Sequence, residues 1–263
     1  MKHLSLGPLT LRPAIFGILF LALVTLAACG KKGPVRPRLA ALPAAPTELQ
    51  VAQQGEDFLL SWTGPERNQD GAPAEDLFGF HIYRLTYVAA DGCPTCRDPD
   101  ELVATIVLTR PEPAVRLGKR LYWRDAAVAP GTGHAYLVVP VTIGGYEGDS
   151  AGTYRAWLAP PSAPLELNAV AGDRQVRLTW TPPASLPDGQ QLLGYNIYRR
   201  SAGGVFPPVA LNTEPLREAH LTDMVGEAGR EAVYRVTTVV RSGDQLLESA
   251  PSPESAAIPQ GVR

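Results

Sequence analysis

GYNIYRR at residues 194–200 and GFHIYR at residues 79–84 are two copies of one pattern, and this pattern decides the fold of the chain. Each copy follows a short stretch that ends in tryptophan, VRLTW at residues 176–180 and FLLSW at residues 58–62. Apolar and polar side chains alternate in these stretches, which is typical of strands that bury one face. Turn-forming sequences such as Pro187-Asp188-Gly189 separate the stretches. The sequence therefore predicts short antiparallel strands.

The repeat continues toward the C-terminus of each copy. YLVVPVT at residues 136–142 in the first copy corresponds to YRVTTVV at residues 234–240 in the second. An aspartate precedes the tyrosine of each stretch by 11 residues, Asp125 in one copy and Asp223 in the other. Two unrelated loops rarely match in length and flanking residues, so we infer a duplication. Seven or so strands in about 100 residues is the size of an antiparallel β-sandwich.

Residues 162–258 resemble a bacterial fibronectin type III domain, and residues 46–160 resemble it more loosely. The likeness in the second copy is carried by Trp180, GYNIYRR, Thr222-Asp223, Tyr234-Arg235-Val236 and the ESAPS stretch at 248–252. In the first copy it is carried by Trp62, Tyr83, Asp125 and Tyr136. The resemblance implies an all-β protein with two tandem immunoglobulin-like (fibronectin type III) antiparallel sandwiches. The predicted domains are residues 46–160 and 161–260.

The first copy is longer than the second after its third strand. Tyr83 and Asp125 are 42 residues apart, whereas the equivalent residues of the second copy are 25 apart. This excess predicts a hairpin insertion that contains Cys93-Pro94-Thr95-Cys96. We expect Cys93 and Cys96 to form a local disulfide at the tip of this hairpin.

Two alternatives for Cys93 and Cys96 are a thiol–disulfide exchange centre and a zinc site. An exchange centre needs nearby cations or a helix N-terminus to lower a thiol pKa. The insertion offers Arg97 against four acidic residues: Asp91, Asp98, Asp100 and Glu101. A zinc site needs four ligands, and the pair supplies two. The acidic residues also lack the spaced ligands of a calcium loop, so we predict no metal site.

Four aromatic residues are predicted to have structural roles. Trp62 and Trp180 are expected to be central core anchors, since each buried tryptophan removes roughly 150–250 Å² from water. Tyr136 and Tyr234 occupy the position of a tyrosine corner, in which the hydroxyl group bonds nearby backbone. Three prolines in residues 159–164 predict a short, stiff hinge and an end-to-end rod of two domains.

The N-terminal sequence resembles a bacterial lipoprotein signal. A charge-free run at residues 14–28 follows Lys2 and Arg12 and ends in Leu26-Ala27-Ala28-Cys29. This pattern resembles the lipobox, in which the cysteine becomes the lipidated first residue. The alternatives are an ordinary secretory signal and a membrane anchor helix, for which about 20 apolar residues are needed. We predict a signal peptide at residues 1–28 and lipidation of Cys29.

Residues 29–45 are predicted to be a proline-rich, basic tether between the lipid and the first domain. Its basic residues are Lys31, Lys32, Arg36 and Arg38. CGKKGP at residues 29–34 also resembles the start of a small outer-membrane lipoprotein family associated with the lipopolysaccharide translocon. Gly30 stands where an Asp would be the inner-membrane retention signal, so the resemblance favours the outer membrane. Whether the domains face the periplasm or the cell surface stays open.

The composition favours a binding protein over an enzyme. Without residues 1–28 the chain has 22 basic residues (24 less Lys2 and Arg12) against 26 acidic ones, which predicts no nucleic-acid partner. We expect the remaining histidines to be scattered on the surface, and no catalytic motif or cofactor loop is present in the sequence. The predicted function is non-catalytic: a membrane-anchored lipoprotein that scaffolds or binds an envelope protein, with no cofactor and no small-molecule substrate. The alternatives are a glycan-binding accessory lipoprotein and a thiol–disulfide exchange protein.

Overall fold

The computed structural model describes residues 41–225 and 228–261. The predicted signal peptide (residues 1–28), the lipidation site Cys29 and most of the tether lie outside the described residues. Within the described part, fifteen β-strands account for the regular structure. No helix there is long and apolar enough to cross a membrane.

The first domain contains two antiparallel sheets that enclose one core. One sheet has the strand order β1-β2-β6-β5 and the other has the order β4-β3-β7-β8. Its strands are β1 (Thr47–Gln54), β2 (Asp57–Thr63), β3 (Leu77–Val88), β4 (Glu101–Val107), β5 (Val115–Leu117), β6 (Arg120–Asp125), β7 (Thr132–Thr142) and β8 (Ala151–Ala156).

The second domain repeats this arrangement with seven strands. One sheet has the order β12-β10-β9, and in the other β13 pairs with β11, β14 and β15. Its strands are β9 (Leu165–Ala171), β10 (Gln175–Thr181), β11 (Gln190–Ser201), β12 (His220–Met224), β13 (Ala232–Ser242), β14 (Gln245–Glu248) and β15 (Ser255–Ala257). Both domains are antiparallel β-sandwiches, which confirms the predicted all-β class.

Each core contains a tryptophan in contact with a second aromatic ring, and the two pairs stand at equivalent positions of the repeat. In the first domain Trp62 is fully buried, and its ring meets that of Phe80 edge to face with centroids 5.6 Å apart. In the second domain Trp180 and Tyr195 meet in the same way at 5.4 Å. Edge-to-face pairs add about 0.5–1.5 kcal/mol beyond the burial of their area. The tryptophans therefore lie where the alternating pattern of the sequence places them.

The two tyrosine corners bond a carboxylate rather than the expected backbone. The hydroxyl of Tyr136 donates to Asp125 Oδ2 at 2.8 Å, and that of Tyr234 donates to Asp223 Oδ2 at 2.8 Å. Burial and the adjacent carboxylate raise the pKa of both tyrosines. The 11-residue spacing of the repeat is therefore the spacing of this bond.

An arginine completes each of these networks. Arg84 Nη1 lies 3.0 Å from Asp125 Oδ2, and Arg199 Nη1 lies 2.6 Å from Asp223 Oδ2. Both arginines come from the GFHIYR and GYNIYRR stretches, at equivalent positions of strands β3 and β11. Each ion pair joins the two sheets of its sandwich. Asp125 is the last residue of β6 and Asp223 lies within β12, and these strands belong to the sheets opposite β3 and β11.

The expected surface position of His134 is wrong. His134 lies on β7, is 2% exposed and packs edge-on against Phe58 at 5.8 Å between ring centroids. Its Nδ1 lies 3.1 Å from Thr86 Oγ1, so the ring keeps a polar partner in the interior. Burial lowers the pKa of His134, which favours the neutral ring.

The expected end-to-end rod is also wrong, because the two domains share a sheet. β1 of the first domain pairs in parallel with β14 of the second, with Gln53 opposite Leu247 and Gln54 opposite Glu248. The result is one continuous eight-stranded sheet, ordered β11-β13-β14-β1-β2-β6-β5 with β15 attached to β13. The proline-rich linker therefore connects domains that are already joined edge to edge.

Trp180→Ala tests the assigned core of the second domain. We expect a loss of about 3–5 kcal/mol in the free energy of unfolding, because a buried indole is replaced by a cavity. Arg177→Ala on the same strand is the control, since Arg177 faces solvent. Chemical denaturation followed by far-ultraviolet circular dichroism measures both, because the substitution removes the tryptophan of the second domain. Equal stability of the two variants would contradict the assigned register.

Candidate functional site

The shared sheet forms the floor of a cleft of about 1010 Å³ between the two domains. The wall from the first domain consists of the β1–β2 turn at residues 54–57 and of Tyr122 and Arg124 on β6. The wall from the second domain consists of Tyr198 and Arg200 on β11, the loop at residues 203–208, and part of β13. Neither domain encloses this cleft alone.

The carboxylate of Glu248 is the centre of the junction below the cleft. Glu248 is 8% exposed and accepts hydrogen bonds from the hydroxyl groups of Tyr198, at 2.6 Å, and Thr237. Gln54 of the first domain donates its side-chain amide to the other carboxylate oxygen at 3.1 Å. Burial and the adjacent carboxylate raise the pKa of Tyr198. One buried charge thus binds groups from both domains.

The turn after β1 fits closely against the second domain. The backbone N–H of Gly55 donates to the carbonyl oxygen of Glu248 at 2.8 Å, which extends the parallel pairing by one residue. Gly55 has a φ of +61°, and a Cβ there would lie 3.2 Å from Ala250 Cα. The left-handed conformation and the close approach of the β1–β2 turn to Ala250 both favour glycine at this position.

Two further side chains fix the chain on both sides of the junction. Gln53 is 1% exposed, and its amide exchanges two hydrogen bonds with the backbone of Leu158, at 2.6 and 3.1 Å. Arg155 on β8 donates to the carbonyl oxygen of Leu246 on β14 at 2.6 Å. The start of the linker is therefore held against β1, and β8 is held against the second domain.

A stack of aromatic rings and guanidinium groups covers the second-domain wall. Arg235 lies over the rings of Tyr198 and Phe206, with its Cζ atom 5.1 and 4.3 Å from their centroids. Arg200 also lies over the ring of Phe206, with its Cζ atom 5.1 Å from the centroid. It forms an ion pair with Glu254 at 2.6 Å. Such cation–π contacts hold the guanidinium planes in place.

The first domain carries the same tyrosine–glutamate pair at a more exposed position. The hydroxyl of Tyr83 donates to Glu147 Oε1 at 2.6 Å, and His81 Nδ1 lies 2.7 Å from the same oxygen. The hydrogen bond to Glu147 raises the pKa of Tyr83 to about 12, and the same bond, with that of His81, lowers the pKa of Glu147. The side chain of Glu147 is 42% exposed. Both copies of the repeat therefore contain this pair, and in the second copy the pair also binds Gln54 of the first domain.

The residues singled out from the sequence lie away from this cleft. Cys93 and Cys96 form a disulfide with Cα atoms 5.5 Å apart, and both are exposed in the loop between β3 and β4. The four core aromatics, Trp62, Trp180, Tyr136 and Tyr234, are buried inside the sandwiches. Among the described residues, no group of three or more histidine, cysteine, aspartate or glutamate side chains could hold a metal ion.

Sequence reasoning did not assign a role to Tyr198, Glu248 or Arg235, although all three lie in the repeated stretches. The signal that could have found the first two is their equivalence to Tyr83 and Glu147 in the other copy. Arg235 has no such signal, because Leu137 stands at the equivalent position of β7.

Neither a protein-family model nor a curated protein matches this chain. Among solved structures it is similar to an Fn3-like protein from Clostridium thermocellum, at 23% identity over 40% of this chain and 99% of that chain, with a TM-score of 0.30. It is also similar to the FN1–FN3 domains of chicken CNTN1, at 14% identity over 84% of this chain and 69% of that chain, with a TM-score of 0.33. The fold assignment therefore depends on the observed sheet order.

Gln54→Ala tests the junction. The substitution leaves one oxygen of the buried Glu248 carboxylate without its partner, so we expect a loss of about 1.5–3 kcal/mol, as for hydrogen bonds to charged groups. Gln50→Ala on the same strand is the matched control, because its side chain lies on the exposed part of β1. Differential scanning calorimetry measures both, and we expect the two domains to melt less cooperatively only in Gln54→Ala. An unchanged thermogram in Gln54→Ala would contradict the junction.

Proposed function

We propose that this protein is a membrane-anchored, non-catalytic lipoprotein whose joined sandwich domains bind a protein partner in the bacterial cell envelope. The observation that carries the proposal is the cleft formed jointly by the two domains. Fibronectin-like sandwich domains are consistent with a protein-interaction module, and a concave surface at a domain boundary is a common place for binding.

The walls of the cleft suit a polypeptide. Pro207 and Pro208 on one side and Pro113 on the other have fixed backbone angles, so little conformational entropy is lost when they are covered. Val205 at the rim is 85% exposed, and Phe206 beside it is partly exposed. Rigid apolar side chains next to arginine and tyrosine are the composition found at the centre of protein interfaces.

We assign no catalytic role to the disulfide. Cys93 and Cys96 lie in an exposed loop between two strands, and not at the N-terminus of a helix that could stabilise a thiolate. The closed ring is short, so its entropic contribution to stability is small compared with that of a long loop. The bond is best explained as a local constraint on the β3–β4 loop.

The membrane anchor in this proposal depends on the N-terminal sequence. The lipobox pattern that ends at Cys29 supports lipidation, and Gly30 after the cysteine favours the outer membrane by resemblance. The six residues CGKKGP also nominate an assembly associated with lipopolysaccharide transport as the setting of the partner. The basic tether would lie close to lipid phosphates.

Cys29→Ala tests the anchor. We expect the native protein to fractionate with the outer membrane, and the variant to stay unprocessed or to become soluble, because no thiol is available for lipidation. Membrane fractionation with mass spectrometry of the mature N-terminus measures both. The control is Cys93→Ser with Cys96→Ser, which leaves the lipobox intact. Recovery of Cys29→Ala in the outer membrane at the normal mature mass would contradict the anchor.

A photo-crosslinking amino acid at position 205 tests the binding cleft. We expect irradiation of intact cells to link position 205 covalently to a specific envelope protein, because Val205 stands at the rim of the cleft. The matched control is the same amino acid at Val170, which is 53% exposed on β9, outside the cleft. Adducts at neither position, or the same adducts at both, would contradict the proposed site.

A further inference from the structure

Arg235 differs from Arg124 and Arg200, which also line the cleft, because no described carboxylate forms an ion pair with it. Arg124 forms an ion pair with Asp57 at 3.2 Å, and Arg200 forms one with Glu254 at 2.6 Å. For Arg235 no carboxylate within the described ranges, 41–225 and 228–261, lies at ion-pair distance. Its Nε atom is buried and has no hydrogen-bond partner in the part of the chain that the structure describes.

The aromatic rings hold this guanidinium group in place. Tyr198 lies across the strand pair from Arg235, and Phe206 folds over it from the loop after β11. Rings that contact the faces of the guanidinium plane leave the N–H donors of its Nη atoms open to another group, whereas the Nε–H is buried. Burial lowers the pKa of Arg235, and the charges of Glu248 and Glu254 act in the opposite direction from beyond ion-pair distance.

A carboxylate is the group that fits this edge. Two parallel N–H donors of a guanidinium match the two oxygens of a carboxylate, and such bidentate pairs are among the stronger hydrogen bonds in proteins. The stacked rings hold the guanidinium group in one orientation before a ligand binds. The binding geometry is therefore defined in advance, and less rotamer entropy is lost on binding.

The acidic side chains around the cleft restrict the kind of ligand segment that could bring a carboxylate to Arg235. Glu56 lies on the same wall as Asp57, and Glu254 lies next to Arg200 on the other. A tract of several acidic residues would be repelled by these carboxylates, whereas a single one could reach Arg235 between them. Val205 and the neighbouring prolines provide apolar contacts on either side of such a residue.

We propose that the cleft recognises one aspartate or glutamate side chain of the partner protein, flanked by apolar residues and bound by the edge of Arg235. This inference rests on the proposed function, since it specifies the chemistry of the segment that the cleft binds. Arg124 and Arg200 keep their own carboxylates and do not take part in the new ion pair.

The test is an NMR titration of the full-length lipoprotein in detergent micelles, labelled with ¹⁵N-arginine. The probe is the peptide acetyl-Pro-Leu-Glu-Leu-Pro-amide, and its control has Gln in place of Glu. We expect the Nε–H signal of Arg235 to shift and saturate with the Glu peptide, and at least tenfold weaker binding of the Gln peptide. Arg235→Gln lacks this signal, so its binding of the two peptides is measured by isothermal titration calorimetry, and the substitution is expected to abolish the preference. Arg241→Gln, an exposed arginine on the same strand and outside the cleft, is expected to preserve it.

Several results would overturn the inference. These are equal binding of the two peptides, an unchanged preference in Arg235→Gln, or saturation of Arg235 by inorganic phosphate at lower concentration than by the Glu peptide. The last result would assign the site to a phosphate group instead. If position 205 still crosslinks to an envelope protein while these peptides do not discriminate, the proposed function stands and only the carboxylate specificity fails.

Discussion

The buried carboxylate of Glu248 is the interaction on which the arrangement of this protein depends. It accepts hydrogen bonds from Tyr198 and Thr237 within its own domain and from Gln54 of the other. A carboxylate that is 8% exposed needs all of these donors, because an unpaired buried charge is strongly unfavourable. The neighbouring backbone pairing of β1 with β14 makes the contact continuous with a sheet. The cleft exists because this junction fixes one domain against the other.

The duplication explains how such a junction could arise without a new fold. Tyr83 and Glu147 form the same pair in the first domain, where the carboxylate is accessible to solvent. In the second domain the equivalent pair is covered by the end of β1. This contact joins the two sandwiches at a surface that neither forms alone. The residues proposed to bind a partner therefore lie at the boundary between the domains, whereas the two cores stabilise the individual sandwiches.

The strands could be predicted from sequence because each follows a local pattern. Alternation placed Trp62 and Trp180 in the cores, and the spacing of the repeat located Asp125 and Asp223. The parallel pairing of β1 with β14 could not be predicted, because strand edges carry no sequence signal for a partner in another domain. His134 was misplaced since its neighbours form a glycine-containing turn sequence, yet the residue lies inside β7 and has Thr86 as a polar partner. Arg235 was not found because its importance comes from two rings that only the folded chain brings to it.

The central claim is that the two domains form one rigid unit through β1 and β14. Residual dipolar couplings of backbone amides, measured in a weakly aligned sample of the native chain, test this claim directly. If the junction holds, one alignment tensor fits the couplings of residues 47–156 and 165–257 together, with the orientation of the two sandwiches described above. Two different tensors, with reduced order in one domain, would show that the domains move independently and would contradict the account.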